Sequence, residues 1–208
     1  ALVLVLASLV AHAVMAVILV ATLAKMPPEA RVVNPAMHLA FVGFILGALP
    51  LGQLGYTGPA MALFWITLMI AVLIWAVSAL QLLRTMPPAP LRPLLAIHLA
   101  PAALFSRVAH EAGHTQLGMG FAILGMVIFL ALLASARWLT VSGFSPLWGA
   151  FTFPLAAFAT ALLTQGGTWE ATGLAVLALA LGVIPAIAWN VLKLWPGNRL
   201  AVKTNARS

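Results

Sequence analysis

His110-Glu111-Ala112-Gly113-His114 carries the H-E-x-x-H spacing. On a helix that spacing sets two histidines one turn apart as zinc ligands, with the glutamate as general base. A zinc site of this kind needs a third protein ligand. The chain has no cysteine and no aspartate, and Glu29, Glu111 and Glu170 are its acids, so the third ligand reduces to Glu170 or to His12, His38 and His98. Read without the metal, the same segment is a solvated polar turn bounded by Arg107 and Gly118. A second pattern involves no bond-making residue at all. Pro50, Pro101 and Pro154 recur at spacings of 51 and 53, in the frames Ala48-Leu49-Pro50-Leu51, Leu99-Ala100-Pro101-Ala102 and Thr152-Phe153-Pro154-Leu155. Counting round a helix from Phe153, the residues 4, 7 and 11 positions on are Ala157, Thr160 and Thr164, a small and mildly polar stripe on one face. Phe153 is then a bulky plug on a narrow-walled path. The competing reading packs Phe153 between helices and has Thr160 and Thr164 bond back to their own turns.

These residues sit in a chain that water could not cover. Of its 208 residues, 64% are apolar or aromatic and 6% are charged, against about 25% charged in a soluble domain. It is an all-α integral membrane protein, expected as a single transmembrane domain over residues 1–208. A bilayer core needs roughly 20 apolar residues of helix. Seven runs meet or approach that: Ala1 to Ala24, Met37 to Tyr56, Pro59 to Leu83, Leu94 to Val108, Leu117 to Ala134, Leu147 to Leu163 and Ala171 to Leu192. Pro35, Pro59, Pro93 and Pro146 stand near the starts of runs, where a missing N–H costs least. Trp138, Trp148, Trp169 and Trp195 stand at run ends, as in interfacial aromatic belts.

The connections alternate in charge. Those after runs one, three, five and seven hold nine of the ten Lys and Arg residues, and Arg107 is alone on the other side. The positive-inside bias therefore puts the C-terminus in the cytoplasm, with residues 193–208 as a basic tail beside the headgroups. Basic residues scattered between apolar runs make loop anchors rather than a phosphate-tracking face, which excludes a nucleic-acid partner. No cofactor is called for. An external Ala1 suggests that the numbered sequence starts partway through a longer one, with an odd number of spans ahead of it.

The three in-phase prolines read as a tandem helical hairpin. Each marks a short, interrupted helix, tolerated in lipid only where the broken backbone is buried or faces a watery cavity. Runs two, four and six therefore form an inner ring of Pro-kinked helices, with the long runs outside. A single intramembrane proline is ordinarily a packing kink, as Pro185 is here, but matched breaks at repeat positions point to a substrate path. Pro50, Pro101 and Pro154, with Gly47, Ala100, Ala157, Thr160 and Thr164, are the residues expected to line that path, with Phe153 as its plug if it is not packed between helices. His12, Gln53, Gln81 and Asn190 are expected to make interhelical bonds or to lie near the interface rather than to bind a ligand.

The stretch Gly143-Phe144-Ser145-Pro146-Leu147-Trp148-Gly149-Ala150-Phe151-Thr152-Phe153-Pro154-Leu155-Ala156 resembles the tellurite-resistance/dicarboxylate transporter family, which includes bacterial tellurite-resistance channel homologues and plant slow anion channels. Pro27-Pro28-Glu29-Ala30-Arg31-Val32-Val33 before His38-Leu39-Ala40-Phe41-Val42-Gly43-Phe44, Ala96-Ile97-His98-Leu99-Ala100-Pro101-Ala102-Ala103-Leu104, and Lys203-Thr204-Asn205-Ala206 agree with it. The resemblance implies ten helices in five hairpins around a pore, one pore per subunit of a homotrimer, and this chain corresponds to the last seven helices. It implies a pore occluded by a phenylalanine at the position of Phe153, and small inorganic or carboxylate anions as the permeating species.

The leading expectation is accordingly a passive anion channel or transporter subunit in a bacterial inner membrane, not an enzyme, surrounded by membrane lipid. The alternatives are a shortened, non-conducting relative serving as a structural subunit of a larger membrane complex, and a zinc-dependent membrane peptidase using His110, Glu111 and His114.

Overall fold

A computed structural model describes residues 1–27, 31–196 and 199–200. Glu29 and most of the basic tail, including Lys203 and Arg207, lie outside them. Among the described residues the chain is helical, without strands. The α-helices are α1 (Leu2–Lys25), α2 (Ile45–Gln53), α3 (Thr57–Arg84), α4 (Leu99–Glu111), α5 (Thr115–Ala134), the short α6 (Ala136–Leu139), α7 (Thr152–Gln165) and α8 (Glu170–Leu192). A π-helical turn, His38–Val42, precedes α2, and 3-10 segments Ala89–His98 and Pro146–Phe151 precede α4 and α7. A further 3-10 turn, Gly167–Trp169, leads into α8.

Six of the described helical stretches are long and apolar enough to cross a bilayer: Leu2–Lys25, Thr57–Arg84, Ala89–Glu111, Thr115–Ala134, Pro146–Gln165 and Gly167–Leu192. They include six of the seven expected runs. The remaining run, expected over Met37 to Tyr56, gives only the shorter apolar stretch His38–Gln53. Its backbone changes from π to α winding midway, and Gly55, at φ +87°, ends it in a turn. The spans that carry Pro101 and Pro154 are the most enclosed of the six, with 61% of the apolar window buried in Ala89–Glu111 and 33% in Pro146–Gln165. In α1 the figure is 6%. Shared burial and lower hydropathy go together, as they must when a helix is covered by protein instead of lipid.

The prolines act differently from mid-helix kinks. Pro101 and Pro154 are each the third residue of their α-helix, at the junction with the preceding 3-10 segment. A proline ring there clashes with the carbonyl four residues back, so α winding cannot run through it and the preceding turn tightens to 3-10. The N–H groups at the junctions are still bonded: Leu99 donates to Ala96 and Ile97, and Thr152 donates to Gly149. Pro50 lies inside α2.

The described residues fall into two compact units, residues 1–86 with 104–121, and residues 87–103 with 122 onward. In the first, α2 packs on α3, and α1 packs on α2 and the π turn. Its core is aromatic: Phe64 and Phe105 stack edge-to-face at 5.2 Å, and Phe121 stands 5.3 Å from Phe105 and 6.0 Å from Phe64. Such pairs add to the area they bury because ring edges meet ring faces. His12, midway along α1, reaches across to place Nε2 2.9 Å from the Ala40 carbonyl, with the ring N–H donating into the π turn. Its ring also stands edge-on to Phe44 at 4.4 Å. Gly43 makes this approach possible, since a Cβ there would collide with the imidazole.

In the second unit α7 packs along α8, and the two 3-10 segments pack on one another. Phe158 is fully buried, 5.5 Å from the Phe129 ring. A Cβ on Gly125 would lie 2.7 Å from Phe158 Cε2, and one on Gly173 would lie 2.9 Å from Leu163 Cγ. Small residues at these positions let the backbones close up, which is the usual means of helix association in lipid.

Candidate functional site

The helix α7 is built with two unlike faces. Pro154, Leu155, Phe158, Ala159, Ala161 and Leu162 are buried and hold it in its unit. The stripe at spacings of 4, 7 and 11 from Phe153 turns the other way: Phe153 is 43% exposed, Thr160 is exposed, and Ala157 and Thr164 are half-buried. A large aromatic ring left uncovered beside two threonines is not the pattern of a side chain packed between helices of its own unit. The threonines do bond back, as one reading of the sequence anticipated: Thr160 Oγ1 donates to Ala156 at 2.8 Å and Thr164 Oγ1 to Thr160 at 2.9 Å. With their protons committed to backbone carbonyls, the hydroxyls present no donor to an anion. The face is therefore smooth and weakly polar, with one bulky step at its start.

The other residues expected beside a path are placed as follows. Ala100 and Pro101 are buried in the first turn of α4, and Pro154 is buried in the first turn of α7. Pro50 is half-buried within α2. Gly47 is buried against α1, where a Cβ would lie 2.7 Å from the Leu9 side chain. Gly47 and Pro50 belong to the first unit, and the rest belong to the second. The Lys and Arg side chains within α2, α4 and α7 reduce to one, Arg107, near the end of α4. It is ion-paired to Glu111, with Nε donating to Oε1 at 2.7 Å.

That pair bears on the H-E-x-x-H segment. The helix α4 ends at Glu111, Gly113 adopts φ +84°, and α5 starts at Thr115. A left-handed glycine between the two histidines breaks the turn that would put His110 and His114 on one helical face. Glu111 Oε2 accepts from Gln53 Nε2 at 3.4 Å while Oε1 accepts from Arg107, so the carboxylate is engaged by an ion pair and a side-chain amide. Among the described residues no cluster of three His, Cys, Asp or Glu side chains could hold a metal ion. The helical context that the peptidase reading needs is absent.

Two features had no clear signal in the sequence. A cavity of about 260 Å³ lies in the second unit, between α5, α7, α8 and the 3-10 segments. Trp148, expected as an interfacial anchor, is instead part of the wall of this cavity. Its ring stacks edge-to-face on Phe144 at 5.5 Å and on Phe151 at 6.0 Å, and its indole nitrogen is buried without a hydrogen-bond partner. The Ser145 hydroxyl, three positions earlier, is likewise buried without a partner. By contrast, the interhelical bonds of His12 and Gln53 were legible from polar residues within apolar runs. Asn190 donates to Ala186 of its own helix, at 2.9 Å.

A family model described as voltage-dependent anion channel matches residues 1–194. No curated protein and no solved structure matches the chain.

Proposed function

The chain belongs to the voltage-dependent anion channel family, and on that footing we propose that it lets small anions pass passively along a path lined by the outward stripe of α7, with Phe153 closing it. Membership, over residues 1–194, carries the anion-channel or transporter class. The single structural observation that supports the particular path is the two-faced α7, whose less covered face begins at a 43%-exposed phenylalanine and continues through half-buried Ala157, exposed Thr160 and half-buried Thr164.

The chemistry of that face favours fast passage over tight binding. An arginine ring would attract anions and also hold them, and conduction requires sites weak enough to leave. Here the threonine protons are spent on backbone carbonyls, and the cation of α4 is neutralised by Glu111. Attraction is then left to helix dipoles. The aromatic ring supplies a hydrophobic constriction that excludes a hydrated ion until it rotates. The permeating species are small inorganic or carboxylate anions, and the assembly is a homotrimer in a bacterial inner membrane with the C-terminus cytoplasmic. Basic residues clustered after alternate spans support that orientation.

The direct test is Phe153→Ala in the purified full chain reconstituted in planar bilayers. Removing the ring raises anion conductance several-fold over the unmodified protein. An unchanged current in a variant that elutes and unfolds like the parent would remove Phe153 from the gate.

A further inference from the structure

The 260 Å³ cavity of the second unit is walled by Phe129 and Leu132 of α5, Leu155 of α7, Val183 and Ile187 of α8, and Trp148. Thr140 also borders it, but its hydroxyl donates to the Ala136 carbonyl at 2.7 Å, so the wall is apolar throughout. Leu133 and Leu179, also bordering it, are 53% and 40% exposed, so the cavity opens on the side of α5 and α8. Those helices are membrane spans, and the medium outside them is acyl chain rather than water. An unfilled apolar void forfeits dispersion contacts on its whole lining, and a flexible hydrocarbon tail restores them.

The charge at one end of the cavity specifies the head of that tail. Ala136 borders the cavity, and the next residue, Arg137, is exposed. Arg92 stands nearby with its guanidinium 4.4 Å over the Trp138 ring, Nε bonded to the Pro87 carbonyl and Nη1 bonded to the Trp138 carbonyl. The helix α8 brings Ile187 to the wall and is followed by Lys193, whose ammonium lies 5.2 Å from the Trp189 ring centre. Among the described residues of this unit the acid is Glu170, at the opposite end of α8. The segments that flank this end of the cavity thus carry cations, with the unit's described acid at the far end of α8.

We infer that this cavity is a binding site for an anionic phospholipid, with one acyl chain between α5, α7 and α8 and the phosphate beside Arg137. The site differs from the charge attraction of any basic loop to a membrane because it requires a tail in a defined cavity, and it holds whether or not the protein conducts.

Native mass spectrometry of the full chain, released from nanodiscs containing equal phosphatidylglycerol and phosphatidylcholine of identical chains, tests this. The unmodified protein retains phosphatidylglycerol at least several-fold over phosphatidylcholine. Val183→Phe, which fills the cavity, loses both lipids, and Arg137→Gln keeps a lipid but loses the preference. Leu179→Phe blocks the exposed rim and serves if Val183→Phe does not fold. Equal retention of the two lipids by the unmodified protein overturns the inference, as does undiminished phosphatidylglycerol on the folded cavity variants. A lipid-free oligomer would overturn it in favour of a second copy covering the opening.

Discussion

A methyl group added at position 125 has nowhere to go, because Phe158 is fully buried and its ring edge would stand 2.7 Å from the new carbon. Gly125→Ala is therefore expected to cost about 1–3 kcal/mol, the usual penalty of overpacking, read as a lowered unfolding temperature in detergent. His12→Leu removes the donor to the Ala40 carbonyl while keeping bulk, and should cost about 1 kcal/mol by the same measurement. At this scale the sequence was legible where a polar side chain stands alone among apolar neighbours, since it must find a partner. Gln53 and His12 both do so. It was not legible at Trp148, because a tryptophan near a span end looks the same in sequence whether its N–H reaches the interface or is buried against Phe144 and Phe151.

Elements were easiest to read where length and hydrophobicity suffice, and six of the seven expected runs appear as spans. Their winding was harder. The spacing of Pro101 and Pro154 announced a break, but whether a break is a kink within one α-helix or a change from 3-10 to α depends on which residue begins the α segment, and hydropathy does not carry that. Likewise the π turn at His38–Val42 accepts a hydrogen bond from His12 of α1, a partner remote in sequence. The H-E-x-x-H match failed at the same scale: Gly113 ends the helix that the motif presupposes. Metal analysis of the purified chain should accordingly find zinc well below one equivalent, and His114→Ala should not change it. Stoichiometric zinc lost in that variant would restore the peptidase reading.

For the whole molecule, the distribution of Lys and Arg is the strongest statement the sequence makes about orientation, and the lack of cysteine makes it simple to test. Thr85, just after α3, and Gln116, in the first turn of α5, are both exposed and stand at span ends assigned to opposite sides. A membrane-impermeant thiol reagent applied to intact cells should label Gln116→Cys, and should label Thr85→Cys only after permeabilisation. The reverse pattern would invert the topology. The family match carries the anion-channel or transporter class, and permeation past Phe153 is the proposal built on it. The measurement that bears on it most directly is the reversal potential of the Phe153→Ala protein in a planar bilayer under a KCl gradient. The account predicts a several-fold larger current than the unmodified protein, reversing near the chloride equilibrium potential. A current reversing near the potassium potential, or no current from an intact protein, would contradict it.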